Sequence, residues 1–312
     1  TPYSPHSRSP ADLQSASMSS KGVALVTGAG VPKHFIPGKY VLKRRDPGQG
    51  IGEAIALRLA DDGYDVAIND IQVDKLQHVV DKIIAKGRKG TMHVADVSVE
   101  RQVQGMVEKV VEEHGKLDVM VANAGIAQWK ALVDTTEEDW DKMFAINAKG
   151  TFLCYKHAGL QMIAQGRGGR IIGASSVSGK RVRDQGTDAG RRCLFVNVLL
   201  VFVIKLEPEA IELAPYKITV NAYAPGSIET PLRETAGLLT MFYTTSDAER
   251  PVGIGEYCKD KLIQYLQGAA LEPAHIPQLA KRPPLGRLGK PEDIATLVSY
   301  LVSDEAHYIT GE

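Results

Sequence analysis

The sequence predicts an α/β domain, a doubly wound parallel sheet in three layers. Three observations predict it. Short apolar runs alternate with segments of helical period from residue 23 onward. Glycines gather directly after the first apolar run, in Thr27-Gly28-Ala29-Gly30. The length, 312 residues and 33.8 kDa, suits one such domain with a full hydrophobic core. Strands that alternate with helices pair in parallel and place helices on both sheet faces.

The elements follow in order. Val23–Thr27 (VALVT) reads as a buried strand ending in glycine. Glu53–Leu59 has helical periodicity and stops at Asp61-Asp62-Gly63. Asp65–Asn69 is a second strand, Ile71–Lys86 an amphipathic helix and Thr91–Ala95 a third strand. Val99–His114 is helical, with Gly115 past its end. Asp118–Ala122 is the fourth strand. Thr135–Ile163 reads as one long helix, capped near Thr135-Thr136-Glu137-Glu138. Arg170–Ala174 is the fifth strand, Ala210–Ala214 the end of a helix and Ile218–Ala224 the sixth strand. Pro291–Val302 is a helix with proline in its first turn.

Two segments break this rhythm. Val31–Gly48 is basic and has no periodicity, and it reads as an insertion. Val182–Glu209 begins polar and becomes uniformly apolar. Residues 1–20, rich in Ser and Pro without an apolar stretch, read as a disordered tail that is no secretory signal. The remaining 21–312 form a single domain.

Composition excludes several classes. Lys+Arg and Asp+Glu both number 37, so no whole-chain field draws the protein to nucleic acid or an anionic membrane. The apolar run Cys193–Ile204 is far short of the ~20 residues of a membrane span. Three scattered cysteines, Cys154, Cys193 and Cys258, argue against a disulfide framework and fit a reducing, cytoplasmic setting. No zinc-ligand spacing occurs, so no metal is expected. Thirty glycines exceed the usual ~7%, in keeping with tight turns and close backbone approach to a ligand.

The glycines specify what that ligand is. If Val31–Gly48 is set aside, Thr27–Gly30 joins Gln49-Gly50-Ile51-Gly52 as TGAGQGIG, between a strand and a helix. Glycines there let backbone approach a pyrophosphate, and the helix start offers unpaired N–H groups and a positive dipole end. This is the Rossmann-type arrangement. Further motifs follow in order: Asp96-Val97 after the third strand, Asn123-Ala124-Gly125 after the fourth and Asn147 in the long helix. Ser176 then lies in GASSVSG, and Pro225-Gly226 precedes Thr230-Pro231. Together they resemble the short-chain dehydrogenase/reductase family over about residues 21–181 and 210–312. The start ALVTGAG and the stretch Gly286–Gly311 are most similar to acetoin (diacetyl) reductases and butanediol dehydrogenases.

Asp70, at the end of the second strand, can accept hydrogen bonds from an adenosine ribose. Its charge would repel a 2′-phosphate, which favours NAD over NADP. The resemblance implies the other cofactor contacts. Asp96 and Val97 meet adenine. Gly28, Gly30, Gly50, Ile51 and Gly52 form the phosphate turn. Asn123, Ala124 and Gly125 line the cofactor, and Pro225, Gly226, Ile228 and Thr230 hold the nicotinamide end.

The resemblance also implies hydride transfer between nicotinamide and a small hydroxyketone or diketone. Ser176 would hold the substrate oxygen and Asn147 would place a water in the proton relay. Family members also use a Tyr and a Lys four residues on. By spacing, these positions fall near Ala189 and Cys193, or near Phe195 and Leu199, none of which does acid–base work of that kind. No Tyr lies in Val182–Glu209, and the one Tyr-x-x-x-Lys, Tyr257–Lys261, falls in the substrate-covering region. Two alternatives therefore stand beside the enzyme: an inert nucleotide-binding or interaction protein on the same fold, and a gene model with translated introns at 31–48 and 182–209. The family implies a homo-oligomer through the long helix. It also continues into a seventh strand, whose place beside the sixth is expected to be open here.

Overall fold

The computed structural model describes residues 19–30, 50–126, 135–177, 206–230, 285 and 287–312. Its centre is a six-stranded, all-parallel sheet in the order β3-β2-β1-β4-β5-β6. The strands are β1 Val23–Thr27, β2 Asp65–Asp70, β3 Gly90–Val94, β4 Val119–Ala122, β5 Gly169–Ala174 and β6 Ile218–Tyr223. The order reverses between β1 and β4, and a ligand crevice opens beyond the strand carboxyl ends at such a switch point.

Helices α1 (Ile51–Asp61), α2 (Val73–Ala85), α3 (Glu100–His114), α4 (Glu137–Met143), α5 (Gly150–Gln165), α6 (Leu206–Leu213) and α7 (Pro291–Val302) cover both faces. One apolar layer joins α1, α2 and α7 to Ala24, Val26, Ile68, Val121 and Ile172. The opposite layer joins α3 and α5 to Leu25, Met120, Ile171 and Val220. Central strands buried on both sides explain runs such as VMVA, apolar at every position.

Sequence and structure agree on element type throughout, with two differences. The long helix predicted over Thr135–Ile163 is not uniform. A capping box formed by Thr136 and Asp139 starts it, and Phe144–Lys149 is then a π-helical turn between α4 and α5. The place beside β6 is not open either. Ala222 N donates to Glu312 O at 2.7 Å and Gly311 N to Val220 O at 2.8 Å. Asn221 adds a side-chain bond to Ile309 O at 2.8 Å.

The segment thought to be aberrant up to Glu209 is helical from Leu206, the start of α6. Val31–Gly48, residues 182–205, Leu232–Pro284 and the tail up to residue 18 lie outside the described residues. Cys154 is buried in the α5 layer, and burial pushes its thiol up to about 12, so it is a packing residue. Cys193 and Cys258 lie outside the described residues.

Candidate active site

The predicted residues that the structure describes gather at the carboxyl edge of the sheet. Their alignment follows from strand register. Thr27 pairs with Asn69 and Val26 with both Ile68 and Val121. One step along, Gly28 stands level with Asp70 and Asn123. Ala122 pairs with Gly173 and Ala174 with Tyr223, so Asn123, Ala174 and Tyr223 continue the same row. Side chains two apart share a face. Asp70, Gly28, Asn123, Ala174 and Tyr223 therefore cross the sheet edge on the α1 side.

The glycine turn is shaped by close contacts. Gly28 has φ +65°, a left-handed conformation that a side chain resists, and a Cβ on it would lie 2.7 Å from Ala124 Cα. A Cβ on Gly52 would lie 2.4 Å from Gly28 O and 2.6 Å from Asn123 Nδ2. The start of α1 is thus pressed onto the end of β1. By contrast, a Cβ on Gly50 meets no described residue within 4 Å. Gly50 is the residue preceding Ile51 in α1, and its carbonyl accepts from Ala54 N at 3.0 Å.

Asn123 fixes this turn. Its Nδ2 donates to Thr27 O at 3.0 Å and to Gly28 O at 3.2 Å. Thr27 Oγ1 accepts from Asn123 N and Ala124 N at 3.0 and 3.1 Å. Asp70 stands opposite. Its Oδ2 accepts from Gly30 N at 3.1 Å and its Oδ1 from Gln72 N at 3.1 Å. The carboxylate is held against the glycine turn.

Beyond β3, Asp96 Oδ1 accepts from Ser98 N at 2.9 Å and Ser98 Oγ at 2.7 Å, which shapes the turn there. The Val97 side chain is buried in the α5 layer, where Gly150 leaves room for it. Asn147 sits in the π turn and clasps Ile126 by both its N–H and its carbonyl, which ties Gly125 beside it. Half-buried Ser176 follows β5, and the next residue, Val177, donates its N–H to Pro225 O at 3.0 Å. The segment 225–230 is pinned further on, where Ile228 bridges Gly289 and Glu229 N donates to Gly289 O at 2.8 Å. Gly226 is exposed and Thr230 half-buried.

The sequence reading missed three residues. Thr27 anchors two backbone N–H groups, as above. Buried Asn69 donates from Nδ2 to His93 O and Ala95 O at 2.9 and 3.0 Å, and its backbone carbonyl accepts from Ala29 N. Buried Tyr223 donates to Asn123 Oδ1 at 2.7 Å. The signal was available: polar side chains inside apolar parallel strands must be paired.

Tyr155 and Tyr223 are the described tyrosines beside β5. Burial pushes both phenols far up, and no lysine among the described residues acts on either, so neither forms a Tyr–Lys pair with a described lysine. Tyr257 and Lys261 lie outside the described residues.

With this geometry in place, comparison with known proteins is decisive. A family model described as enoyl-(acyl carrier protein) reductase matches residues 47–255 and 262–312. The chain belongs to the short-chain dehydrogenase/reductase family. A short-chain dehydrogenase/reductase of Armillaria gallica is 42% identical over 304 residues, 96% of each chain. The 3-oxoacyl-(acyl-carrier-protein) reductase of Staphylococcus aureus is 34% identical over 265 residues, 85% of this chain and 91% of its own. The acetoin dehydrogenase structure from Salmonella typhimurium superimposes with a TM-score of 0.64 at 26% identity, covering 93% of this chain and 92% of that one. The short-chain dehydrogenase/reductase fold, a family of oxidoreductases, is thereby shown. Acetoin reductases are one of several relatives rather than a distinguished match.

The glycine-rich turn fits a dinucleotide. Gly28 and Gly52 leave no space for a side chain, while no described residue crowds Gly50 at the start of α1. No helix among the described residues is long and apolar enough to cross a membrane.

Proposed function

We propose that the chain is a cytoplasmic NAD-dependent alcohol dehydrogenase or ketone reductase acting on a small hydroxyketone or diketone, with acetoin and diacetyl as the test pair. One observation carries the cofactor choice: the Asp70 carboxylate faces Gly30 across the glycine turn. A fixed anion there accepts from a ribose diol and repels a 2′-phosphate. When bound, the nicotinamide supplies the hydride acceptor or donor. The chain's own residues then bind and orient. Gly28, Gly30, Gly50, Ile51 and Gly52 receive the pyrophosphate. Asn123, Ala124 and Gly125 line the crevice with Asp96 and Val97, and Pro225, Gly226, Ile228 and Thr230 hold its far end. Ser176 holds the substrate oxygen, and Asn147 keeps the floor of the site in place. The substrate class rests on the acetoin dehydrogenase neighbour and the stretch Gly286–Gly311, and the acyl-carrier relatives make a 3-oxoacyl thioester the comparison substrate.

A second reading has its own support in the absence of Tyr from Val182–Glu209: a protein that binds the dinucleotide without turnover. Titrating NADH by fluorescence and assaying diacetyl reduction separates the two. Turnover supports the enzyme, binding without turnover supports the second reading, and absence of both defeats each.

A further inference from the structure

Tyr223 lies on β6, and the glycine turn it influences lies at the end of β1, with β5 and β4 between them. Neighbouring strands are about 4.8 Å apart, so β6 and β4 are separated by roughly 10 Å. Few side chains cross that gap. A phenol does, provided that the strand between presents something small. Here the intervening residue level with Tyr223 is Ala174. The Tyr223 hydroxyl accordingly donates to Asn123 Oδ1 at 2.7 Å.

That bond tethers the amide from the side opposite the glycine turn. With Oδ1 occupied by the phenol, Nδ2 is directed at Thr27 O and Gly28 O. A flipped amide would set its oxygen against two carbonyl oxygens, so the amide keeps this orientation and the phenol holds its oxygen in place. Burial pushes the phenol well above its ordinary range, so the hydroxyl remains a donor at any working pH. Gly28 is the left-handed residue on which Gly52 and the start of α1 rest.

We infer that Tyr223 is a positioning residue of the nucleotide site, acting through Asn123 to hold the Thr27–Gly30 turn in the shape that receives a pyrophosphate. The inference rests on the dinucleotide reading above for its consequence, though not for its mechanics.

Two measurements on the full chain test it. In the unliganded protein, Tyr223→Phe should speed amide hydrogen exchange in residues 27–30 and 123–126 by roughly fivefold, the equivalent of one lost hydrogen bond. Exchange in Gly90–Val94 should stay as it was. Tyr155→Phe, which removes a buried phenol from the opposite face, should leave residues 27–30 unchanged. With cofactor, Tyr223→Phe should raise the NADH Kd by a similar factor while kcat moves less than twofold. A folded Tyr223→Phe protein with unaltered exchange in 27–30 overturns the inference. If Tyr223→Phe does not fold, Asn123→Asp takes its place. That variant keeps the acceptor for Tyr223 but loses the donor to Thr27 and Gly28, so unaltered exchange would again overturn the inference. If the wild type binds no NADH, the dinucleotide reading fails, and the exchange data still decide the mechanical link.

Discussion

Asn147 grips Ile126 from both sides: its Oδ1 accepts from Ile126 N and its Nδ2 donates to Ile126 O, each at 2.9 Å. One side chain thus satisfies both polar groups of a backbone unit just past β4. The π turn Phe144–Lys149 places it there, and wide turns of this kind gather at functional sites. Asn147→Ala leaves both groups unpaired and should cost about 2 kcal/mol, at about 1 kcal/mol per bond. For a chain of this length that lowers Tm by roughly 3 °C. Asn147→Asp keeps the acceptor and should lose about half as much. Calorimetry of the three proteins checks this, and equal melting temperatures would show that the clasp carries no weight.

The Asp70 carboxylate makes two backbone bonds, to Gly30 and Gln72, and is the one acidic group described against the glycine turn. Charged hydrogen bonds contribute about 1.5–3 kcal/mol. Asp70→Ser should therefore weaken NADH binding about tenfold to a hundredfold. NADPH binding should weaken less or improve, because the repulsion is gone. The ratio of the two Kd values, measured by fluorescence titration, is the quantity to follow. A ratio unchanged by the substitution would remove Asp70 from cofactor choice.

Much of the fold was legible because parallel strands buried on both faces spell continuous apolar runs. VALVT was bounded to the residue for that reason and for the glycine after it, and the helix PEDIATLVSYLV for its helical period and its first-turn proline. The cofactor edge was legible because glycines and strand-end Asp and Asn residues recur at each strand terminus. The π turn was not, because Phe144–Lys149 carries no proline or glycine to mark it. Nor was the linkage among Tyr223, Asn123 and Thr27, which joins residues about a hundred apart in sequence through sheet register. Ile309–Glu312 beside β6 escaped as well, because its backbone bonds carry no side-chain pattern.

The two glycines at the start of α1 should respond unequally to the same substitution. Gly52→Ala drives a methyl to 2.4 Å from Gly28 O, a backbone atom that cannot rotate away. Overpacking of this kind costs about 1–3 kcal/mol, and here it also displaces the turn that receives the pyrophosphate. Gly50→Ala meets no described residue, sits at φ −79° and should cost less than about 1 kcal/mol, from the weaker cap. Melting curves and NADH titration of both variants give the contrast. A Gly52→Ala protein that binds NADH as tightly as the wild type would contradict the close packing of α1 on β1.

A histidine pair on the far edge of the sheet predicts the pH dependence of stability. Thr91 Oγ1 lies 3.0 Å from His93 Nε2 and 2.9 Å from His114 Nε2. A hydroxyl has one hydrogen, so it can donate to one neutral ring while accepting from the other. Two protonated rings would both have to donate to the same oxygen, side by side. Burial holds both imidazoles below the ordinary 6.5; Lys109 lowers His93 further while Glu113 opposes, and Lys89 lowers His114 while Asp65 and Glu113 oppose. A folded-state value below the unfolded one means that the unfolded chain binds more protons in the window beneath 6.5. Stability is therefore full above 6.5 and declines as pH falls through the folded values. Asp65 acts in a separate, lower window. Burial raises its carboxyl, but bonds from Lys89 N–H, Ser20 and Arg88 outweigh that and hold it below 3.8, so its contribution disappears only under stronger acid. Tm should be flat from pH 8.5 to 7.5 and fall between 6.5 and 5. Replacing His93 and His114 together with Gln should flatten that fall, even if the variant melts lower throughout. A slope that survives the double substitution would assign the acid sensitivity to other groups.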